Sequence, residues 1–377
     1  MPQDSALLTA ETAASSPVPD ARSAAAPCLL ALSTAVPPIV LRQADVIART
    51  AKLFDGRKSE IARLLPVFEN AGIATRYSCV PLEWYEQDHG WAERNALFID
   101  NALDLLERAA RNCLADARLS TADIDAVVTV STTGIATPSL DARLMERLSL
   151  RRDITRLPIF GLGCAGGVLG LARAAALARA MPGANVLFLV VELCALTFRK
   201  VDQSKSNIIA AALFGDGAAA AVIGPRWGTG LAADGPSLGV SGEYTWPDSL
   251  DVMGWNVEDD GLGVMFSRDI PTLVRTQFRP ALDRFLAAHD IPFQRFDEFV
   301  CHPGGAKVIA ALESALAQAP GSMQEARDVL AEYGNMSAAT VLFVLDRVLQ
   351  SKPGARHLLL SALGPGFTAA FLTLHQR

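Results

Sequence analysis

Leu157-Pro158-Ile159-Phe160-Gly161-Leu162-Gly163-Cys164-Ala165-Gly166-Gly167-Val168 is an apolar strand running into a helix, with one cysteine at the junction. The alanine-rich helix that follows is predicted over about Val168 to Ala180. A cysteine at a helix start feels unpaired backbone N–H groups and the positive end of the helix dipole. Both favour thiolate over thiol, and the thiolate is the nucleophile. The flanking glycines and Ala165 leave a bulky substrate room to reach the sulfur. Cysteine is also a common small core residue, so this segment alone supports a structural reading equally well.

Two distant segments tip the balance. Phe299-Val300-Cys301-His302-Pro303-Gly304-Gly305-Ala306-Lys307 puts a histidine at the end of an apolar strand, just before Pro-Gly-Gly. Tyr333-Gly334-Asn335-Met336-Ser337 opens a periodic helix over Ala338 to Leu349. His302 is suited to pair with the Cys164 thiolate and to shuttle protons. Asn335 is an amide donor able to stabilise an oxyanion. Each also has a plain structural role open to it, as a satisfied core histidine or a helix N-cap. Together they form a Cys-His-Asn constellation at strand ends and helix starts. Papain-like hydrolases use such a set, and so do decarboxylating condensing enzymes. The Cys-Gly-Ser-Cys-Trp signature of the former is absent.

The segments around the triad resemble type III polyketide synthases, the chalcone and stilbene synthase family. Ala35-Val36-Pro37-Pro38 with Gln43 is similar to the family's N-terminal motif, and Ser131-Thr132-Thr133-Gly134 with Pro138 to a cavity wall. Gly163-Cys164 matches the nucleophile loop, and Glu192-Leu193-Cys194-Ala195-Leu196-Thr197-Phe198-Arg199 the strand after it. The most specific match is Ala212-Leu213-Phe214-Gly215-Asp216-Gly217-Ala218-Ala219-Ala220. His302-Pro303-Gly304-Gly305, Gly334-Asn335-Met336-Ser337 and Gly364-Pro365-Gly366-Phe367 complete the series.

The resemblance implies an α/β, thiolase-like fold, in which two pseudo-duplicated βαβαβαββ halves form an αβαβα layered core. It implies a reaction as well. Cys164 attacks an acyl-CoA thioester and holds the starter. His302 and Asn335 receive the enolate oxygen formed when malonyl-CoA loses carbon dioxide. The enolate then attacks the acyl-cysteine, and further rounds precede ring closure. No metal and no cofactor are implied, because CO2 loss makes the carbanion and the CoA thioesters are substrates. Phe214 resembles an aromatic gatekeeper between CoA tunnel and cavity, and Thr132, Thr137, Cys194, Thr197, Trp255, Val264 and Gly366 fall at cavity positions. Lys307, Gly304 and Gly305 fall where CoA would be held, and Arg57, Lys58 and Arg76 lie in the N-terminal CoA-contacting segment. A homodimer is implied too.

The chain departs from the plant enzymes in ways that bear on the starter. Val264 stands where a second gatekeeper phenylalanine is expected, which would widen the passage. Thr137 replaces a methionine that crosses a dimer interface, and Cys194 replaces a cavity threonine. Trp255 replaces a glycine and should block a wide, flat pocket. Together these suggest a narrow tunnel for an alkyl chain, hence a fatty acyl-CoA starter and an alkylresorcinol or alkylpyrone product. A synthase using malonyl units alone, of tetrahydroxynaphthalene or phloroglucinol type, is the alternative. Its naphthalene-forming branch typically carries a cysteine at the position of Thr132. A ketoacyl synthase III-like enzyme that condenses once is a further reading.

Composition agrees with a large packed core. Half of the 377 residues are hydrophobic and the mean hydropathy is +0.25. No apolar run is long enough to span a membrane. A formal net charge of −6 disfavours nucleic-acid binding. Six scattered cysteines without pair spacing fit a reducing cytoplasm. Residues 1–26, rich in Ala, Ser and Pro, are expected to be a disordered tail. Residues 27–225 should form the half carrying the nucleophile, and residues 226–377 the half carrying His302 and Asn335. The Lys200 to Lys205 stretch is expected to be a solvated turn.

Overall fold

The computed structural model describes residues 26–53, 66–226 and 234–376. The expected tail up to Ala25, and Arg57 and Lys58, lie outside the described residues.

The first half runs β1 (Cys28–Ala35), α1 (Trp91–Ala117), β2 (Ala126–Ser131), α2 (Leu140–Leu148), β3 (Thr155–Phe160), α3 (Gly166–Ala180), β4 (Val186–Leu193), α4 (Lys205–Leu213) and β5 (Asp216–Gly224). The second runs β6 (Ser237–Thr245), β7 (Met253–Glu258), β8 (Gly261–Phe266), α5 (Arg279–Ala287), β9 (Glu298–Cys301), α6 (Ala306–Ala315), α7 (Gln324–Tyr333), α8 (Thr340–Ser351), β10 (His357–Gly364) and β11 (Thr368–His375). Nine strands form one mixed sheet in the order β9-β10-β11-β6-β1-β5-β4-β2-β3.

The two halves of that sheet repeat one pattern. In the first, β2 and β4 are parallel, while β4–β5 and β5–β1 are antiparallel. In the second, β9 and β10 are parallel, while β10–β11 and β11–β6 are antiparallel. The halves join through a single β1–β6 pairing, Cys28 with Ser237. The duplication is incomplete. The second half has no counterpart of β3 among the described residues. Its chain passes instead through α7 and the Asn335 segment, which makes an isolated bridge to Phe214.

All eight residues of β4 (VLFLVVEL) are buried, as befits a central strand covered on both faces. Each of its Val and Leu side chains contributes roughly 1.5–3 kcal/mol by leaving water. α3 packs on β2 and β4 of one half and on β10, β11 and β6 of the other. α8 likewise touches β9, β10, β1, β5 and α3. These two helices are the middle layer between the sheet halves, with α1 outside the first half and α5 outside the second. Sandwiching explains why α3 is built from Gly, Ala and a few larger apolar residues: little room remains on either side.

The strand leading to the cysteine differs from expectation. Its apolar residues are not core, because β3 is the sheet edge, with Leu157 37% and Phe160 59% exposed. The helix after Cys164 begins two residues earlier than its pattern suggested. The helix after Asn335 opens with a 3-10 turn at Ser337–Ala339 before α8.

Candidate active site

Cys164 sits in a 3-10 turn, Gly163–Ala165, between the end of β3 and the start of α3. Two contacts fix this loop. The Gly163 amide donates to Thr132 Oγ1 at 3.1 Å. Gly163 has φ +48°, and a Cβ there would meet Pro365 Cδ at 2.5 Å. Glycine is therefore required both by backbone conformation and by the close approach of the β10–β11 turn. Thr132 in turn donates its amide to Glu192 Oε2 at 3.0 Å, and Thr133 Oγ1 donates to the same oxygen at 2.8 Å.

His302 follows the last residue of β9, and its amide donates to Ser361 O at 2.9 Å. The side chain is 5% exposed, and neither ring nitrogen has a hydrogen-bond partner. Asn335 is pinned on every side. Its backbone donates to Leu213 O at 2.8 Å and accepts from the Gly215 amide at 3.0 Å. Its Oδ1 accepts from the Ser337 amide at 2.8 Å, and its Nδ2 donates to Gly304 O at 3.3 Å. That pattern assigns the amide orientation and leaves one N–H of Nδ2 for another acceptor.

Cys164, His302 and Asn335 line one cavity of about 750 Å³. All three are buried, whereas Lys205, Arg268 and Lys307 on the same cavity are exposed. The space thus runs from a charged mouth, where these three cations outnumber the exposed Asp269, to a desolvated end that holds the triad. Gly304 and Gly305 line it as well. Lys205 corrects the reading of 200–205 as a plain solvated turn: it opens α4 on the cavity wall, behind an N-cap in which Ser204 Oγ accepts from Asn207 N. Arg76 is corrected in the other direction. It is 2% exposed, its Nη1 donates to Phe214 O at 3.4 Å, and burial lowers its pKa to about 10. It supports the chain under Phe214 rather than offering charge to phosphate.

Burial also dominates the titration of the pair. The Cys164 thiol is pushed up to about 12, first by desolvation, with the Glu192 charge adding to this and the Ser337 contact opposing it. His302 is pushed down to about 3 by desolvation. The helix-start field does not by itself make a thiolate here, contrary to the sequence-based expectation. Glu192 is fully buried with Oε1 unpaired, and desolvation raises it to about 7.

The expected cavity residues divide. Cys194, Thr197 and Phe214 line a second, apolar space of about 50 Å³. Thr197 Oγ1 donates to Cys194 O at 2.7 Å. Trp255 and Val264 line neither space; they pack on Phe214, Cys194 and Ala210. The Trp255 ring stands edge-on to Phe214 with centroids 5.9 Å apart. Val264 does not leave the passage without a second phenylalanine. Phe266, two residues on, lines the main cavity with its ring 5.6 Å from that of Phe214. Thr132 holds the nucleophile loop and is not a wall residue. Thr137 is exposed and away from the cavity of its own chain. Gly366, at φ +98°, shapes the β10–β11 turn, where its carbonyl accepts from Ser249 Oγ at 3.0 Å. Ser337, Glu192, Phe266, Lys205 and Arg268 were not singled out from sequence. Only Ser337 had a local signal, its place two residues after Asn335.

A family model for the N-terminal domain of chalcone and stilbene synthases matches residues 18–226, and the model for their C-terminal domain matches 237–376. The chain belongs to the chalcone and stilbene synthase family. It has a thiolase-like α/β fold and is a condensing acyltransferase of the type III polyketide synthase class. A 1,3,6,8-tetrahydroxynaphthalene synthase of Streptomyces peucetius subsp. caesius is 38% identical over 347 residues, 91% of this chain and 92% of that protein. A Bacillus subtilis (strain 168) protein with a provisional chalcone synthase name is 38% identical over 359 residues, 91% of this chain and 97% of its own. The crystal structure of the Streptomyces coelicolor A3(2) tetrahydroxynaphthalene synthase, a bacterial type III polyketide synthase, superposes with a TM-score of 0.86 at 29% identity, covering 94% of this chain and 99% of that one. No helix among the described residues of this polyketide synthase is long and apolar enough to cross a membrane.

Proposed function

We propose that this polyketide synthase loads a long-chain fatty acyl-CoA on Cys164, extends it with malonyl-CoA and cyclises the product to an alkylresorcinol or alkylpyrone. The observation that carries the chemistry is the convergence of Cys164, His302 and Asn335 at the buried end of one cavity. A proton passing from the Cys164 thiol to a nitrogen of His302 creates both charges together, and neither is stable alone at that depth. The thiolate attacks the thioester carbonyl. The C–S bond to CoA breaks, and His302 returns its proton to the leaving CoA sulfur. Malonyl-CoA then loses CO2. The enolate oxygen takes hydrogen bonds from Asn335 Nδ2 and His302, and the enolate carbon attacks the acyl-Cys164 carbonyl. Cys164 leaves as thiolate, and the chain, longer by two carbons, is again a CoA thioester. Lys205, Arg268 and Lys307 at the mouth are placed to meet the phosphates of CoA.

The support for a fatty starter is chemical: the small space lined by Phe214, Ala195, Phe198, Ala210 and Ala211 is apolar, as an alkyl segment requires. A second reading, malonyl-CoA as both starter and extender, is favoured by the similarity to two Streptomyces tetrahydroxynaphthalene synthases. A homodimer is supported by the bare apolar edge of β3, with Leu157, Phe160 and nearby Ile135 exposed. The six cysteines, all unpaired, suit a reducing compartment.

The test is mass spectrometry of products from labelled malonyl-CoA and acyl-CoAs graded from acetyl to long-chain, beside Cys164→Ala. Alkylated resorcinols or pyrones that need both a long acyl-CoA and Cys164 are the expected result. Products from malonyl-CoA alone would replace the starter assignment with the second reading.

A further inference from the structure

The β7–β8 hairpin, Met253–Glu258 with Gly261–Phe266, stands apart from the nine-stranded sheet as a two-stranded ribbon. Such a ribbon is marginal by itself and takes its position from side-chain anchors. One anchor is the cluster already described, in which Trp255, Val264 and Phe266 pack on Phe214 and Cys194. The other lies at the hairpin's far end. Arg199 Nη1 donates to Glu258 Oε2 at 2.8 Å and to Asp260 Oδ1 at 2.6 Å. Its Nη2 donates to Asp202 Oδ2 at 2.7 Å. The Arg199 side chain is only 6% exposed, although it meets three carboxylates. A Cβ on Gly263 would come within 3.1 Å of Arg199 Nη2, so the hairpin backbone rests against the guanidinium.

The ground under Arg199 is itself fixed. Arg94 Nη1 donates to Leu196 O at 2.7 Å and to Phe198 O at 2.6 Å, holding the chain that leads to Arg199. Asn207 Nδ2 donates to Arg199 O and Asp202 O, both at 2.7 Å. That segment continues from β4, whose end carries Glu192 and Leu193, and through Cys194–Thr197, which contacts β8. A rigid core element therefore reaches out through one guanidinium and grips the ribbon that carries Trp255 and Phe266.

Resting on the reading of Phe214 and Phe266 as the inner wall of the acyl passage, with Trp255 packed against Phe214, we infer that Arg199 is a positioning residue for starter selection. It touches neither substrate nor the triad. It sets how closely Phe266 and Trp255 are held to Phe214, and so the width of the passage. Without it, Asp202, Glu258 and Asp260 are three neighbouring carboxylates that repel one another, and the hairpin lifts. Lysine is a poor replacement, because one ammonium cannot span three acceptors in a planar fork.

The experiment uses the full-length enzyme as Arg199→Gln and, should that variant not fold, as Glu258→Gln/Asp260→Asn, which removes the same anchor from the half-exposed side. Hydrogen exchange of Met253–Phe266 reads the anchor without any substrate. The ratio of kcat/KM for two accepted starters of different bulk reads the passage. The expected result is about tenfold faster exchange in the hairpin with β4 unchanged, and about a tenfold shift of the starter ratio toward the bulkier one. Arg199→Lys should fall between. Unchanged hairpin exchange would overturn the inference, as would a uniform loss of activity that leaves the starter ratio where it was. If fatty acyl-CoAs prove not to be starters, the ratio is taken among those that are, so the two readings fail separately.

Discussion

The Cys164 thiol donates across 3.6 Å to the hydroxyl of Ser337, and the Ser337 amide donates at 2.8 Å to Oδ1 of Asn335. One residue thus links the nucleophile of the first half to the amide donor of the second. Ser337 holds this place at φ +46°, a region that few residues other than glycine occupy. Ser337→Ala keeps the backbone link and loses the hydroxyl. The expected effect is a three- to tenfold slower acylation of Cys164, about the worth of one neutral hydrogen bond. Ser337→Val adds a β-branch at that φ and should lower Tm as well. Intact-protein mass spectrometry of the acyl-enzyme, beside a thermal melt, checks both; equal acylation rates for serine and alanine would remove Ser337 from the site.

Asn335 separates donor from acceptor. Asn335→Asp can still accept from the Ser337 amide but offers no N–H to an enolate oxygen. Release of CO2 from labelled malonyl-CoA should drop by about 10²–10³ in this variant, the cost of one oxyanion donor. Asn335→Ala should lose about as much. An aspartate variant that decarboxylates at the wild-type rate would show that the amide N–H is idle.

The proposed proton transfer makes the reactivity of Cys164 depend on His302. Burial drives the thiol up to about 12 and the imidazole down to about 3, so each charge needs the other. His302→Ala removes the only proton acceptor proposed here and leaves the thiol at its raised value. Alkylation of Cys164 by iodoacetamide at pH 7 should fall by at least about 100-fold, then recover about tenfold per pH unit as pH rises. Rates that match at pH 7 in wild type and variant would break the pairing.

Phe266 and Val264 both pack on the cluster around Phe214, but only Phe266 also lines the main cavity. Phe266→Ala should therefore widen the starter range more than Val264→Ala does. Trp255→Gly should admit bulkier starters too, because it frees the edge of the Phe214 ring. Competition between short and branched acyl-CoAs, read as product ratios, decides the order; a larger effect from Val264→Ala would restore that residue to the gate.

Glu192 makes stability depend on pH. Its carboxyl, raised to about 7 against an ordinary 4.5, binds its proton more tightly folded than unfolded. That contribution is complete below about 4.5 and is lost as pH rises through 7. Glu192→Gln stays neutral throughout, so its stability relative to wild type should improve by on the order of 2 kcal/mol between pH 5 and pH 8. Urea denaturation at the two pH values measures this, and a pH-independent difference would mean that Glu192 is already ionised when folded.

The triad was legible because each member sits at a junction that the chain announces locally. Gly163 and Gly166 bracket Cys164, Pro303 and the glycines after it end the His302 strand, and Gly334 stops α7 before Asn335. The resemblance carried by these motifs likewise implied the α/β class and its duplicated halves. The sequence by itself therefore determined the fold family and pointed to three side chains that line one cavity. Tertiary structure decided the rest. That Phe266 lines the main cavity and Val264 does not depends on where the hairpin sits against the rest of the fold. That Arg76 is buried, Thr137 bare and Lys205 on the cavity wall depends on which elements cover them. The protonation of Cys164, His302 and Glu192 is set mainly by desolvation. Desolvation is a property of everything packed around a group, drawn from residues far away along the chain, and no local pattern encodes it.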